Sequence, residues 1–153
     1  MQATAGYEAG FTLVKAFLDA FEASNDGTKT SFQVDEAGVF QSLVVVPRQA
    51  LDIVRYSARP WFETDATHNL CQRWSFKIYI LTVTDGNNKN LPIAFEMYAE
   101  EIIVNYCDFF ETVKSVGGGA LGELLNRSTV IIATDRHSSL PAVCAQSLPL
   151  ARH

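Results

Sequence analysis

An α/β fold built on a mixed sheet is what this sequence predicts, and three observations predict it. From residue 61 three extended stretches follow one another, then a helical stretch, a short apolar run and a second helical stretch, the order β-β-β-α-β-α. Residues 1–59 read as a helix, a hairpin and a second helix leading into that core of 60–153. Of the 153 residues 48% are apolar, enough to bury one sizeable core.

Tyr7, Phe11, Val14, Leu18 and Phe21 recur at helical spacing and Asn25-Asp26-Gly27 supplies a stop, so residues 8–24 form an amphipathic helix whose stripe packs on the core. Ser31–Val34 and Val39–Val46 flank Asp35-Glu36-Ala37-Gly38, a short turn with glycine at its permissive position, which makes a β-hairpin. Pro47 opens a helix through Tyr56, with Leu51 and Val54 facing inward. Trp61–Thr67, Trp74–Thr84 and Leu91–Tyr98 are the three strands of an antiparallel meander, the last two joined by Asp85-Gly86-Asn87-Asn88-Lys89.

Ile102, Ile103, Tyr106, Phe109, Phe110 and Val113 mark one face of a helix that ends before Gly117-Gly118-Gly119. Those glycines read as a flexible helix-to-strand connection. Val130-Ile131-Ile132-Ala133 is a continuous apolar run, the pattern of a strand buried on both faces. Ser138 or Ser139, with Pro141 in the first turn, starts a last helix. The helical crossover lets the fourth strand run parallel to the first, Trp61–Thr67, and lie beside it.

The formal charge is −5, from 12 Lys and Arg against 17 Asp and Glu. Phosphate binding needs clustered cations, and these are scattered, so no whole-surface grip on nucleic acid is expected. Cys71, Cys107 and Cys144 are odd in number and lack CxxC spacing, which suits plain thiols in a reducing compartment. No apolar run reaches the roughly 20 residues of a membrane span and no secretory pattern opens the chain, so a soluble intracellular protein is expected, with no membrane partner. The sequon Asn126-Arg127-Ser128 is then unused.

Two carboxylates occupy special places. Asp65 lies in the first core strand and Asp135 closes the buried one, in Ile132-Ala133-Thr134-Asp135-Arg136-His137. Neighbouring strands stand about 4.8 Å apart, so both side chains could converge on one point, where a shared cation would relieve their repulsion. Mg²⁺ takes hard oxygen ligands from few protein carboxylates, and paired ions activate an attacking oxygen and stabilise a leaving one, as phosphodiester chemistry requires. An Asp closing a strand before a helix serves equally as a loop or cap residue, so spacing alone leaves both readings open.

The ordered motifs go further. Asp65-Ala66-Thr67, Asp85-Gly86 with Leu91-Pro92-Ile93-Ala94-Phe95, Glu101 ahead of Asn105-Tyr106 and Phe109-Phe110, Ile131-Ile132-Ala133-Thr134-Asp135-Arg136, and Leu148-Pro149 with Ala151-Arg152-His153 resemble, in that order, the Mutator-like (MULE) transposase domain. The hairpin and Phe40–Pro47 resemble the stretch that family carries before its first Asp, so the likeness runs from about residue 30 to the end. It implies a ribonuclease-H-like core of the DDE type that cuts and joins DNA with Mg²⁺ or Mn²⁺ held by two aspartates and a later glutamate. Carried over residue by residue, Asp65 is the first carboxylate and Asp135 the second. The third lies past the stretch resembling Ala151-Arg152-His153, so this chain is expected to be a truncated core with little nuclease activity alone. The resemblance also implies transposon-end DNA as partner, a nuclear location and a homo-oligomeric full-length parent.

Glu101, beside Glu100 at the start of the crossover helix, is an in-chain substitute for the third acid, although an acidic side chain at a helix N-terminus is explained equally by the helix dipole. His68 and His137 stand near the two aspartates and could touch phosphate or metal; solvent-facing loop histidines are the plainer reading, and His153 stands at the chain end. Gly117-Gly118-Gly119-Ala120-Leu121-Gly122 satisfies GxGxxG, but a helix precedes it where a dinucleotide site needs a strand. Ser138 and Ser139 beside His137 make no triad, and a helix cap explains them. Two functional readings follow: an enzyme fragment, or a noncatalytic module derived from such an element that binds DNA or protein.

Overall fold

A computed structural model describes residues 4–57, 61–71, 76–100, 102–134 and 140–152, and the side chains of all of these except 4–10 and 65–71. In chain order the elements are α1 (Thr4–Ser24), β1 (Lys29–Val34), β2 (Phe40–Val46), α2 (Gln49–Tyr56), β3 (Trp61–Cys71), β4 (Phe76–Thr84), β5 (Asn90–Tyr98), α3 (Ile103–Ser115), α4 (Ala120–Leu125), β6 (Ile131–Ala133) and α5 (Leu140–Ser147). The strands form one sheet in the order β1-β2-β5-β4-β3-β6. All pairings are antiparallel except β3 with β6, which is parallel. The hairpin of the first segment therefore continues the sheet of the core, through β2 beside β5.

Both hairpins close in the same way. The Asp35 Oδ1 accepts the N–H groups of Ala37 and Val39 at 2.9 and 2.8 Å, and the Asp85 Oδ1 those of Asn87 and Lys89 at 2.8 Å each. Each aspartate's own N–H donates to the carbonyl four residues on, and the fourth loop residue takes a left-handed conformation, Gly38 at φ 73° and Asn88 at φ 62°. Asn tolerates that region better than other side chains, which is why no glycine is needed in the second loop. The amide of Lys89 foremost, with that of Asn87, holds the Asp85 carboxyl below its ordinary range. The stability this gives is present above the ordinary carboxylate value and is lost as pH falls through the depressed one.

One sheet face alternates into the core. Val44, Val46, Phe62, Tyr79, Leu81, Val83, Ala94, Tyr98 and Ile132 are all buried, and α3 lays Tyr106, Phe109, Phe110 and Val113 among them. The rings meet edge-on, Tyr79 to Tyr106 at 5.2 Å, Tyr79 to Phe109 at 5.0 Å and Tyr98 to Tyr106 at 6.0 Å between centroids, the arrangement aromatic quadrupoles favour. α1 stands apart from this core. It reaches the sheet through β1, by the Phe11–Phe32 ring contact and by the Glu22 Oε1, which accepts from the Thr30 N–H and hydroxyl on the sheet's free edge. That carboxylate caps an edge amide which would otherwise be open to another strand.

Four expectations need correcting. Ile102 and Ile103 do not share the buried face of α3: Ile102 is the extended N-cap, outside the helical periodicity, Ile103 opens the first turn, and both are exposed while Asn105 is buried in their place. Val14, placed on the packed stripe of α1, is exposed. β6 is not covered throughout, since Ile132 is buried but Ile131 and Ala133 are only half-buried. The glycines do not pass straight into a strand; they turn the chain into α4, an element the pattern concealed because Leu121, Leu124 and Leu125 look like part of an apolar connection.

Gly117, Gly118 and Gly119 all have positive φ, 64°, 66° and 97°. At Gly117 an added Cβ would also stand 2.6 Å from Leu51 Cδ2 in the core, whereas at Gly118 it would meet nothing within 4 Å. Replacing Gly118 with Ala costs the left-handed penalty alone, about 1 kcal/mol. Gly117→Ala adds a core clash and should lose about 2 kcal/mol or more, a difference that urea unfolding of the two variants measures. Equal losses at the two positions would show that α2 and α4 do not pack as described.

Candidate functional site

The site the sequence points to is the seam between β3 and β6. Three residue pairs make it: Trp61 with Ile131, Phe62 with Ile132 and Glu63 with Ala133. A three-residue strand has too few bonds to hold itself, and the structure supplies others. The Thr64 hydroxyl donates to the Ala133 carbonyl at 3.3 Å. On the far side of β6 the Ile132 N–H donates to the Arg152 carbonyl at 2.8 Å and the Arg152 N–H to the Val130 carbonyl at 2.9 Å, so the chain end forms a parallel bridge to β6.

Asp65 is in β3, two residues beyond the seam, in register with Ile80 of β4; its side chain is outside the described set. Asp135, Glu101, His137, Ser138, Ser139 and His153 lie outside the described residues. β3 runs four residues further than expected, to Cys71, so His68 belongs to a strand and not to a loop. Glu100 is exposed, and it is its carbonyl that works locally, accepting from the Ile102 N–H at 3.1 Å and the Asn105 Nδ2 at 2.9 Å.

The expected Mg²⁺ or Mn²⁺ site is overturned: among the described residues no three His, Cys, Asp or Glu side chains come together so as to hold a metal ion. The acids whose side chains are described are engaged elsewhere. Glu63, nearest the seam, has its carboxylate taken by the Trp61 Nε1 at 3.1 Å and the Asn90 Nδ2 at 2.9 Å. Asp35 and Asp85 close turns, Glu22 caps the sheet edge, and Asp19, Asp52 and Glu111 pair with cations on their own helices.

One acidic group that sequence reading passed over is buried. Glu96, on β5, is 0% exposed and neither carboxylate oxygen has a hydrogen-bond partner. Burying an ionised carboxylate without a partner costs far more than the ~1–3 kcal/mol of an unsatisfied neutral group, so such a side chain gives up its charge. Burial foremost, and the charge of Asp108 on α3 second, push its carboxyl from an ordinary 4.5 up to about 9. The signal was present in the alternation: Ala94, Glu96 and Tyr98 share parity on a strand whose neighbours are apolar.

Among the described residues, one surface groove between α3, α4 and the end of α5 is lined by Lys114, Gly122, Glu123, Asn126, Gln146 and Pro149, and another by Arg55, Ser57, Phe62, Arg127 and Thr129. None of the described helices is long and apolar enough to cross a membrane. In comparisons with known proteins, no family model, curated protein or solved structure matches this chain.

The described cysteines behave as the sequence suggested. Cys107 and Cys144 are free thiols, and burial pushes Cys144 up to about 12, so it stays a protonated, unreactive thiol at neutral pH. Cys144 should therefore resist iodoacetamide in the native chain and become alkylated only in denaturant, as read by mass spectrometry of the tryptic peptides. Rapid native labelling at that position would contradict the packing of α5 on the core.

Proposed function

We propose that this chain is the front portion of a Mutator-like transposase core of ribonuclease-H-like fold, and that alone it holds the fold without cutting DNA. What carries the reading is the seam. An antiparallel meander, β3-β4-β5, is followed by a helical crossover, after which β6 returns parallel to β3, the first strand of the meander. Its pairs run at a constant offset of seventy residues, which is also the offset between Asp65 and Asp135. β3, which carries Asp65, and β6, which Asp135 follows in the sequence, are thus neighbours, and each aspartate comes two residues after the last pair in the sequence. DNA cleavage and strand transfer at transposon ends, in the nucleus and with further subunits, belong on this reading to the parent protein.

A second reading, a noncatalytic transposon-derived module that binds DNA or protein, is favoured by one observation, the lack of any metal-holding cluster among the described residues. The two readings agree that the isolated chain is inert and differ over whether Asp65 and Asp135 converge.

Cross-linking tests this directly. Asp65→Cys with Asp135→Cys, oxidised and mapped by mass spectrometry, should yield a 65–135 disulfide as readily as the control pair Glu63→Cys with Ala133→Cys, which are register partners. Linkage of the control without the test pair sinks the proposal. In parallel, the unmodified chain should cleave duplex DNA no faster than a protein-free control with either Mg²⁺ or Mn²⁺ added. Cleavage that disappears in Asp65→Asn would refute the claim that this portion is inactive.

A further inference from the structure

Beneath α3 the core contains buried polar groups that the proposed function leaves unused. Glu96 has its two oxygens there without partners, and buried oxygens of Ser42, Asn105 and Asp108 are likewise without hydrogen-bond partners. Buried polar groups in native proteins are almost always satisfied, so several together at one helix–sheet interface need a physical account.

Register and packing fix what faces Glu96. Val44 on β2 and Tyr79 on β4 are its cross-strand partners, and Ala94 and Tyr98 flank it on β5. Ser42 and Lys77 stand opposite Tyr98, one step along the same face. From α3 come Asp108, whose charge is felt at Glu96, and Tyr106, whose ring meets those of Tyr79 and Tyr98. α2 also packs against β5, but its Asp52 and Arg55 pair with each other at the surface, and Asp52 with Arg48. β1, under the same helix, brings Lys29, which pairs with Glu22. Among the described residues, the charge felt at Glu96 is that of Asp108, of its own sign.

We propose that Glu96 is a pH-operated latch: uncharged, it lets α3 lie on the sheet, and on losing its proton it loosens α3 from β2 and β5. The geometry gives the direction. An ionised Glu96 would stand in an apolar setting of aromatic rings with a second carboxylate facing it, and lifting α3 is what admits water to both. The sign follows from linkage. A carboxyl whose folded value is raised contributes stability that is fully present below its ordinary 4.5 and is lost as pH rises through the folded value of about 9. This latch rests on α3 and β5 alone and stands whether or not the transposase reading does.

Thermal unfolding of the whole chain from about pH 5 to about pH 9.5 is the test. The native midpoint should fall by about 5 °C or more across that range. Glu96→Gln should flatten the profile and unfold later than the native chain at the alkaline end, and Asp108→Asn should give an intermediate slope by removing the repelling charge. Parallel profiles for the native chain and Glu96→Gln would overturn the latch. Should Glu96→Gln not fold, infrared spectroscopy of the native chain decides. A protonated-carboxyl C=O band at neutral pH that shifts on ¹³C labelling of glutamate supports the proposal, and its absence overturns it. Amide exchange in α3 should accelerate at alkaline pH ahead of that in β4, and uniform acceleration of the two would likewise speak against a local latch.

Discussion

The parallel seam between β3 and β6 is the constraint on which the rest of this structure turns. A strand can run parallel to an earlier one only after a crossover, and here the crossover is α3 with α4. Closing the seam therefore commits α3 to lie on the sheet, and α3 can do so because Tyr106, Phe109, Phe110 and Val113 present one apolar face to Tyr79 and Tyr98. The two requirements reinforce each other. With only three residue pairs, the seam is too short to bear that load alone, which is why Thr64 reaches across to Ala133 and Arg152 bridges β6 from its other side.

That same interface holds a marked inconsistency. A core that needed only to be stable would place an apolar residue at position 96, since volume-matched hydrophobes in such sites are at least as stabilising as polar groups. Glu96 is there instead, with Asp108 facing it and Asn105 and Ser42 nearby. Local conflicts of this kind in natural sequences tend to mark places where something other than stability has been kept. The edge-on contacts of Tyr79 and Tyr98 with the rings of α3 offset part of the cost of the buried acid.

Much of the fold was legible because its signals are local. The two hairpin turns could be read from Asp35 with Gly38 and from Asp85 with Asn87-Asn88, and each aspartate does bind the amides its turn exposes. The parallel neighbour of β3 could be read from element order and the apolar run at Ile131–Ala133. What could not be read depends on partners remote in sequence. α4 is six residues, five of them apolar or small, whose helical form is set by three left-handed glycines and by Leu51 pressing on Gly117. The exposure of Ile103 depends on where α3 begins relative to the sheet, which periodicity does not encode. The metal expectation rested on Asp65 and Asp135, far apart in the sequence, and among the described residues no three His, Cys, Asp or Glu side chains come together.

Charge placement bears on how such a fold could meet DNA. A net charge of −5 need not prevent binding if cations gather on one face, since phosphate contacts are made by clusters. In this chain, however, the paired cations are spent locally: Lys15 on Asp19, Lys114 on Glu111, Arg48 and Arg55 on Asp52, and Lys29 on Glu22. Most of these are neighbours three or four residues apart on one helix, the spacing that supports a helix and cancels its field. Cations so paired offer little long-range attraction to a polyanion. On the transposase reading, any grip on DNA by this chain would therefore fall to cations outside these pairs.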